Sequence, residues 1–299
     1  MPIRSRREIA PRSDARPEAV EPSPQEEKVP PKVTALVVSY NRMENLRRAI
    51  QALEASEGRE TMQIMVVDNG SRDGSAQLES EFPNTRFIRM PKNFGLTKAL
   101  NIGLRASEGE YVFLLHEDTE VEPNAARALI EILDTQPDAV AACPLLVDAE
   151  GRPAPQLADL PPGGPFRSAE VDAEPYAVTY ATGAALMVRA FFVKGMGQID
   201  ERYGQYGSDA EIAYQVYRVN KKTLLVPTVR AIHHGRSRRS GLRDADFRMG
   251  VAVYLGKHRG IASGIAARVG NVLGALFGGR FGEFRNLAAG QKIDGTQFE

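Results

Sequence analysis

Runs of β-branched and aliphatic residues alternate along this chain with stretches whose apolar positions recur every three or four residues. VTALVVS (33–39) reads as a first buried strand. Helical periodicity follows over 43–55, through Leu46, Ala49, Ile50 and Leu53. MQIMVVD (62–68) reads as a second strand, ending in the polar turn Asn69-Gly70-Ser71-Arg72-Asp73-Gly74. TRFIRM (85–90), YVFLLHED (111–118) and AVAACPLLV (139–147) supply three more strands. A helix is predicted over 95–106, and another opens at Pro123, a residue suited to a first turn. Strands alternating with helices imply βαβ units and a mostly parallel sheet, an α/β fold. Such sheets bind ligands beyond the carboxyl ends of their strands. Here those ends carry Ser39-Tyr40-Asn41, Asp68-Asn69 and Glu117-Asp118, so three strand ends deliver polar groups to one edge.

The second half is less regular. Residues 150–175 are rich in Pro and Gly and predict a long loop, usually a functional flap. From Asp209 onward Ile212, Val216 and Val219 share a helical face, and TLLVPTVRAIHHG predicts two short strands broken at Pro227. Residues 243–290 read as helical. The pattern divides the chain into a disordered arm (1–31), an α/β domain (32–245) and a helical tail (246–299). In the tail Ile261, Ile265, Val269, Val272, Leu273, Leu276 and Phe277 fall on one face. Its 257–285 span carries Lys257, Arg259, Arg268, Arg280 and Arg285 against a single acid, Glu283. Such a helix can lie on an anionic membrane or pack against the domain or another subunit.

Composition narrows the classes. The chain has 299 residues, 42% of them hydrophobic, enough for a sizeable core. Lys+Arg and Asp+Glu both count 38, so no global charge favours a polyanion. The arginines at 236, 238, 239 and 243 form a local basic run without aromatic interleaving, and no nucleic-acid partner is expected. The lone Cys143 lies in an apolar run and reads as a core thiol, which fits a reducing, cytoplasmic setting. No leader peptide or membrane span is legible.

The motifs VVSYNR (37–42), VVDNGSRDGS (66–75), NFGLTKALNIG (93–103), YVFLLHEDTEVEP (111–123), ATGAALMVR (181–189), IDERYGQYGSDAEIAY (199–214) and IHHGRS (232–237) stand in an order that resembles family 2 glycosyltransferases of the GT-A fold. They are especially similar to a rhamnosyltransferase-like bacterial branch that decorates cell-surface polysaccharides. The resemblance implies inverting transfer of a sugar from a nucleoside-diphosphate sugar to a hydroxyl of a carbohydrate or lipid-linked saccharide, in cell-surface polysaccharide or glycolipid assembly at the inner face of the plasma membrane.

It also implies roles. Asp68 would contact the nucleotide base, with Ser39, Tyr40, Asn41 and Arg42 lining the same pocket. The residues alone equally allow Asp68 to close an Asx turn. Asn93, Gly95 and Lys98 would serve the diphosphate at a helix start. Asp118 would hold Mn²⁺ or Mg²⁺, helped by Glu117 and by His233 or His234, only one of which can face inward from a strand. His116 stands where the family has the first Asp of a D-x-D element. Asp209 would be the general base, although an N-cap is its local alternative, with Ser208 able to cap instead. Gly183, Glu211 and Arg236 would contact donor or acceptor.

Two rivals are a sugar-nucleotide pyrophosphorylase and a non-catalytic nucleotide-sugar-binding or scaffold subunit. The first requires a Gly-rich phosphate loop after the first strand, where this chain has SYNRMEN. The second is favoured only by His116.

Overall fold

The computed structural model describes residues 30–171, 174–235 and 241–289, without the side chains of 241–243. The first half alternates as β1 (Val33–Ser39), α1 (Met43–Glu54), β2 (Met62–Asp68), α2 (Leu78–Glu81), β3 (Arg86–Arg89), α3 (Leu96–Ala106), β4 (Tyr111–His116), β5 (Thr119–Val121), α4 (Ala125–Thr135) and β6 (Ala139–Val147). It continues through β7 (Pro155–Ala158), β8 (Arg167–Ser168), β9 (Tyr176–Val178), β10 (Tyr180–Ala181), β11 (Ala185–Arg189), α5 (Ala190–Gly195), α6 (Ser208–Arg218) and β12 (Lys222–His233). Three helices close the described chain: α7 (Gly241–His258), α8 (Ile261–Phe277) and α9 (Phe281–Ala289).

The main sheet has nine strands in the order β3-β2-β1-β4-β11-β6-β12-β5, with β9 also paired to β12. β1, β2, β3, β4, β6 and β12 run one way; β5, β9 and β11 run against them. Both faces are covered, which is why β1 and β6 read as unbroken apolar runs rather than alternating ones. Val33, Ala35 and Val37 of β1 pack with Leu46, Ile50 and Leu53 of α1 and Leu129 and Leu133 of α4. Leu36 and Val38 face the other side, with Leu100 and Leu104 of α3 and Ala210 and Ile212 of α6.

Four expectations need correction. The fourth strand ends at His116, and Glu117-Asp118 form the turn into β5. Pro123 does not open α4; Asn124 is its N-cap. The Pro/Gly-rich stretch after 150 contributes β7 and β8 to a second, three-stranded sheet with β10, stitched by Gln156, whose side chain bonds the backbone of Leu146 and Pro144. Pro227 does not split its strand: β12 is continuous, and its register against β6 shifts between Val226 and Arg230, a bulge that absorbs the missing N–H. α7 runs unbroken from Gly241 to His258, and its Tyr254 and Leu255 join the core beside α6. The arm at 1–29 lies outside the described residues.

Candidate active site

Parallel register brings the polar strand ends together. β1 and β2 pair Ser39 with Asp68, and β1 and β4 pair Val38 with His116, so all three strands finish on one line. Beyond that line the chain builds a rigid loop cluster. Asp68 Oδ1 accepts the Ser71 N–H at 2.9 Å, the Asx turn that its local sequence allows. Its Oδ2 has no protein partner among the described residues. Asn41 takes a left-handed φ of 50° and bridges the two loops: its N–H donates to Ser71 Oγ and its Oδ1 accepts the Arg72 N–H. Asp73 caps the start of α1 by accepting the Met43 N–H at 2.7 Å. Ser39 Oγ is buried with no hydrogen-bond partner among the described residues.

Asn93 and Asn69 lock the loop after β3. Asn69 Nδ2 donates to Asn93 Oδ1, which also accepts the Gly95 N–H, while Asn69 Oδ1 accepts the Phe94 N–H. Gly95 is the N-cap of α3. Lys98 lies half-exposed over the Phe94 ring, with Nζ 3.8 Å from Glu201. It therefore faces the loop that leads into α6.

Asp118 is the electrostatic centre. It is buried, with His233 Nε2 3.4 Å from Oδ1 and Arg42 Nη1 3.1 Å from Oδ2. Burial alone would raise its pKa, but the hydrogen bond to His233 and the positive charges of His116, His233 and Arg42 hold it well below the usual carboxylate range. His116, Asp118 and His233 each offer a ligand atom, and these atoms lie within 4.8 Å of one another. One carboxylate and two imidazoles gathered this closely fit a divalent transition metal such as Mn²⁺ better than Mg²⁺, which prefers an all-oxygen shell. The sequence reading overlooked His116 as a donor, treating it only as a departure from D-x-D. Its i, i+2 spacing to Asp118 was the available signal. Glu117 lies outside the trio, with Oε1 3.8 Å from Arg42 Nε. His234 points elsewhere: its Nε2 is 2.6 Å from Glu120 Oε1, which also pairs with Arg48.

Asp209 stands in the first turn of α6. The cap is Gly207, at φ 112°, and not Ser208 or Asp209, so the N-cap alternative for Asp209 falls away. An added Cβ at Gly207 would meet the Tyr203 ring at 2.5 Å. Asp209 accepts the Ala210 N–H at 2.9 Å and a longer 3.4 Å contact from the Gly183 N–H. Gly183 precedes Ala184, whose carbonyl accepts the His116 N–H. The candidate base is thus tied through two residues, Gly183 and Ala184, to the cluster around Asp118.

Glu211 is placed differently from a donor or acceptor contact. Its carboxylate is 2% exposed and accepts from Tyr203 Oη, Gln215 Nε2, Lys257 Nζ and His258 Nε2 at 2.7–3.0 Å. All its capacity is spent inside the protein, clamping α7 to α6. Arg236 lies outside the described residues.

A family model described as "Glycosyl transferase family 2" matches residues 34–196. Solved structures with the same architecture include GalNAc-T7 with UDP, GalNAc and Mn²⁺, at a TM-score of 0.62 and 18% identity over 77% of this chain and 48% of that one. The mannosyltransferase PcManGT from Pyrobaculum calidifontis, in complex with GDP-Man and Mn²⁺, aligns at 0.58 and 16% identity over 92% of this chain and 77% of that one. The fold is that of the GT-A glycosyltransferases. The chain belongs to glycosyltransferase family 2. Among curated relatives, the succinoglycan biosynthesis protein ExoO of Rhizobium meliloti (strain 1021) is 35% identical over 106 residues, 35% of this chain and 30% of that protein. The O-antigen biosynthesis protein RfbC of Myxococcus xanthus is 24% identical over 245 residues, 75% of this chain and 19% of that protein. The chain thus spans under a third of the length of these two relatives.

Proposed function

We propose that the protein is an inverting glycosyltransferase that moves a sugar from a nucleoside-diphosphate donor to a hydroxyl of a growing cell-surface polysaccharide or glycolipid. The observation that carries this reading is the short structural path from Asp209, through Gly183 and Ala184, to the His116–Asp118–His233 cluster. A base and a site for a leaving diphosphate must sit on opposite sides of one anomeric carbon, and this path holds them in one frame.

Asp68 receives an N–H of the base on its unpaired Oδ2, beside Ser39, Tyr40 and Asn41. Arg42 and Lys98 offer cations to the diphosphate. His116, Asp118 and His233 would hold Mn²⁺, which supplies Lewis-acid stabilisation of the leaving charge. Asp209 takes the proton from the acceptor hydroxyl as its oxygen attacks and the diphosphate departs. Contacts to the diphosphate strengthen as its charge grows, so they lower the barrier rather than merely binding substrate. Glu211 acts as a positioning residue for α6. The motif order supports a place near the rhamnosyltransferase-like branch, and the succinoglycan and O-antigen biosynthesis relatives support a cell-surface polysaccharide as the product. A lipid-linked acceptor goes with residence at the inner face of the plasma membrane.

The scaffold reading loses its one support, since His116 is a member of the metal-type cluster. The pyrophosphorylase reading is opposed by family membership. The test is release of nucleoside diphosphate from a panel of UDP-, dTDP- and GDP-sugars with Mn²⁺. Asp209→Asn is expected to lower transfer about 10²–10⁴-fold while nucleotide affinity stays near wild type. Near-normal transfer by that variant would remove Asp209 as base.

A further inference from the structure

The surface of α8 is inverted. Gly264, Ala267 and Ala275 face the protein, and apart from Val272 its large apolar residues face outward. Gly264 approaches α7 so closely that an added Cβ would lie 2.6 Å from the Gly256 Cα. Ala275 is fully buried beside Ala245 and Leu287, and Asn271 Nδ2 donates to the Arg248 carbonyl at 3.2 Å. On the opposite side Ile261, Ile265, Val269, Leu273, Leu276 and Phe277 are exposed, from 37% at Leu276 to 83% at Phe277, and Phe281 continues the patch. Seven of the eleven large exposed apolar residues among those described lie between 261 and 281, so this is one patch and not scatter. Steps of four residues align it into a stripe, about 25 Å long at the rise of an α-helix.

Charge identifies the occupant. From Gly256 to Ala289 every exposed charge is positive: Lys257, Arg259, Arg268, Arg280 and Arg285. The single acid, Glu283, is buried and paired with Arg248 and Arg280 at 2.9 and 3.3 Å. A second copy docked on this face would oppose like charges. The chain's own segments outside the described residues supply no apolar run to cover it: 1–29 holds only Met1, Ile3, Ile9, Val20 and Val29, widely spaced among charged residues and prolines, 236–240 is Arg-Ser-Arg-Arg-Ser, and 290–299 holds only Ile293 and Phe298 as large apolar residues. No described helix is long and apolar enough to cross a membrane.

We propose that α8 lies on the surface of an anionic phospholipid bilayer, with its Ile261–Phe277 stripe in the acyl boundary and Arg268, with the flanking Arg259 and Arg285, among the headgroups. The proposal rests on the surface of the tail and holds whether or not the glycosyltransferase reading does. Through the Glu211 clamp to Lys257 and His258, the docked helices connect directly to the helix that carries Asp209.

Vesicle flotation of the full chain tests it. Wild type is expected to float with vesicles of phosphatidylglycerol and phosphatidylcholine and to remain unbound with phosphatidylcholine alone. The Val269→Glu/Leu273→Glu variant should lose at least about tenfold in partitioning, because two buried apolar side chains become charged. Arg259→Glu/Arg268→Glu, which leaves the stripe intact, should weaken binding to anionic vesicles and flatten its salt dependence. Melting temperatures within a few degrees of wild type would certify the fold of each variant. Equal flotation of wild type and the Val269/Leu273 variant overturns the proposal, as does absence of wild-type binding. Light scattering then reports the alternative: a dimer that the same variant converts to monomer assigns the face to a second copy.

Discussion

Arg42 and His233 grip the two oxygens of Asp118 from opposite sides, Nη1 at 3.1 Å from Oδ2 and Nε2 at 3.4 Å from Oδ1. The guanidinium comes from the end of β1 and the imidazole from the end of β12, strands separated in the sheet by β4, β11 and β6. A carboxylate held by a guanidinium and an imidazole already has partners for both oxygens, and a metal arriving there must compete with one of them.

That competition is measurable. Arg42→Gln should bind Mn²⁺ more tightly than wild type in the absence of nucleotide, by several-fold, since an opposing charge a few ångström away costs about 1–4 kcal/mol in high to intermediate dielectric. The same variant should bind nucleoside diphosphate more weakly. Calorimetry with Mn²⁺ alone and with diphosphate alone separates the two effects.

The histidines should divide sharply. His116→Ala and His233→Ala should each lower Mn²⁺ affinity by at least about tenfold, by loss of a ligand or its support. His234→Ala should leave Mn²⁺ affinity unchanged, because its imidazole is engaged with Glu120. Paramagnetic titration of bound and free Mn²⁺ reads this without any turnover.

Glu211 makes stability depend on pH. Burial pushes its pKa up, but hydrogen bonds from His258, Gln215 and Lys257 outweigh that and hold it below its ordinary value. A depressed folded-state pKa means that the stabilisation is complete above the unfolded value of about 4.3 and is lost as pH falls through the folded one. Urea midpoints should therefore drop on acidification below about pH 5, and Glu211→Gln should flatten that limb. At pH 7 the same variant should lose about 2–4 kcal/mol, because Lys257 and His258 are left beside a neutral partner.

Gly207→Ala should cost about 1–3 kcal/mol from the left-handed φ alone, with the clash against Tyr203 added. The damage falls on the cap of α6, so transfer should decline more than nucleotide binding does. Thermal unfolding and a nucleotide titration on the same sample check both halves.

The strands that build the site were legible because each is buried on both faces, and burial writes an apolar run into the sequence. β1, β2 and β6 begin and end where the pattern says. The polar ends Ser39, Asp68 and Asp118 were legible for the same reason, as abrupt stops in such runs. β7, β8 and β10 left no pattern, being short strands whose partners lie far along the chain. Helical period in 261–277 was equally plain, but period alone does not say which way a stripe points. Glycines at 256 and 264 decide that, by letting the small face of α8 close on α7.

By itself, then, the sequence determined the order of elements, the sheet edge on which polar groups gather and the family to which the chain belongs. Those follow from local periodicity and from motifs read in line. Only the tertiary structure decided that His116 and His233, not Glu117 or His234, surround Asp118, and that Glu211 is a buried clamp. Such choices depend on side-chain direction and on contacts across a hundred residues or more of chain, which no local pattern encodes.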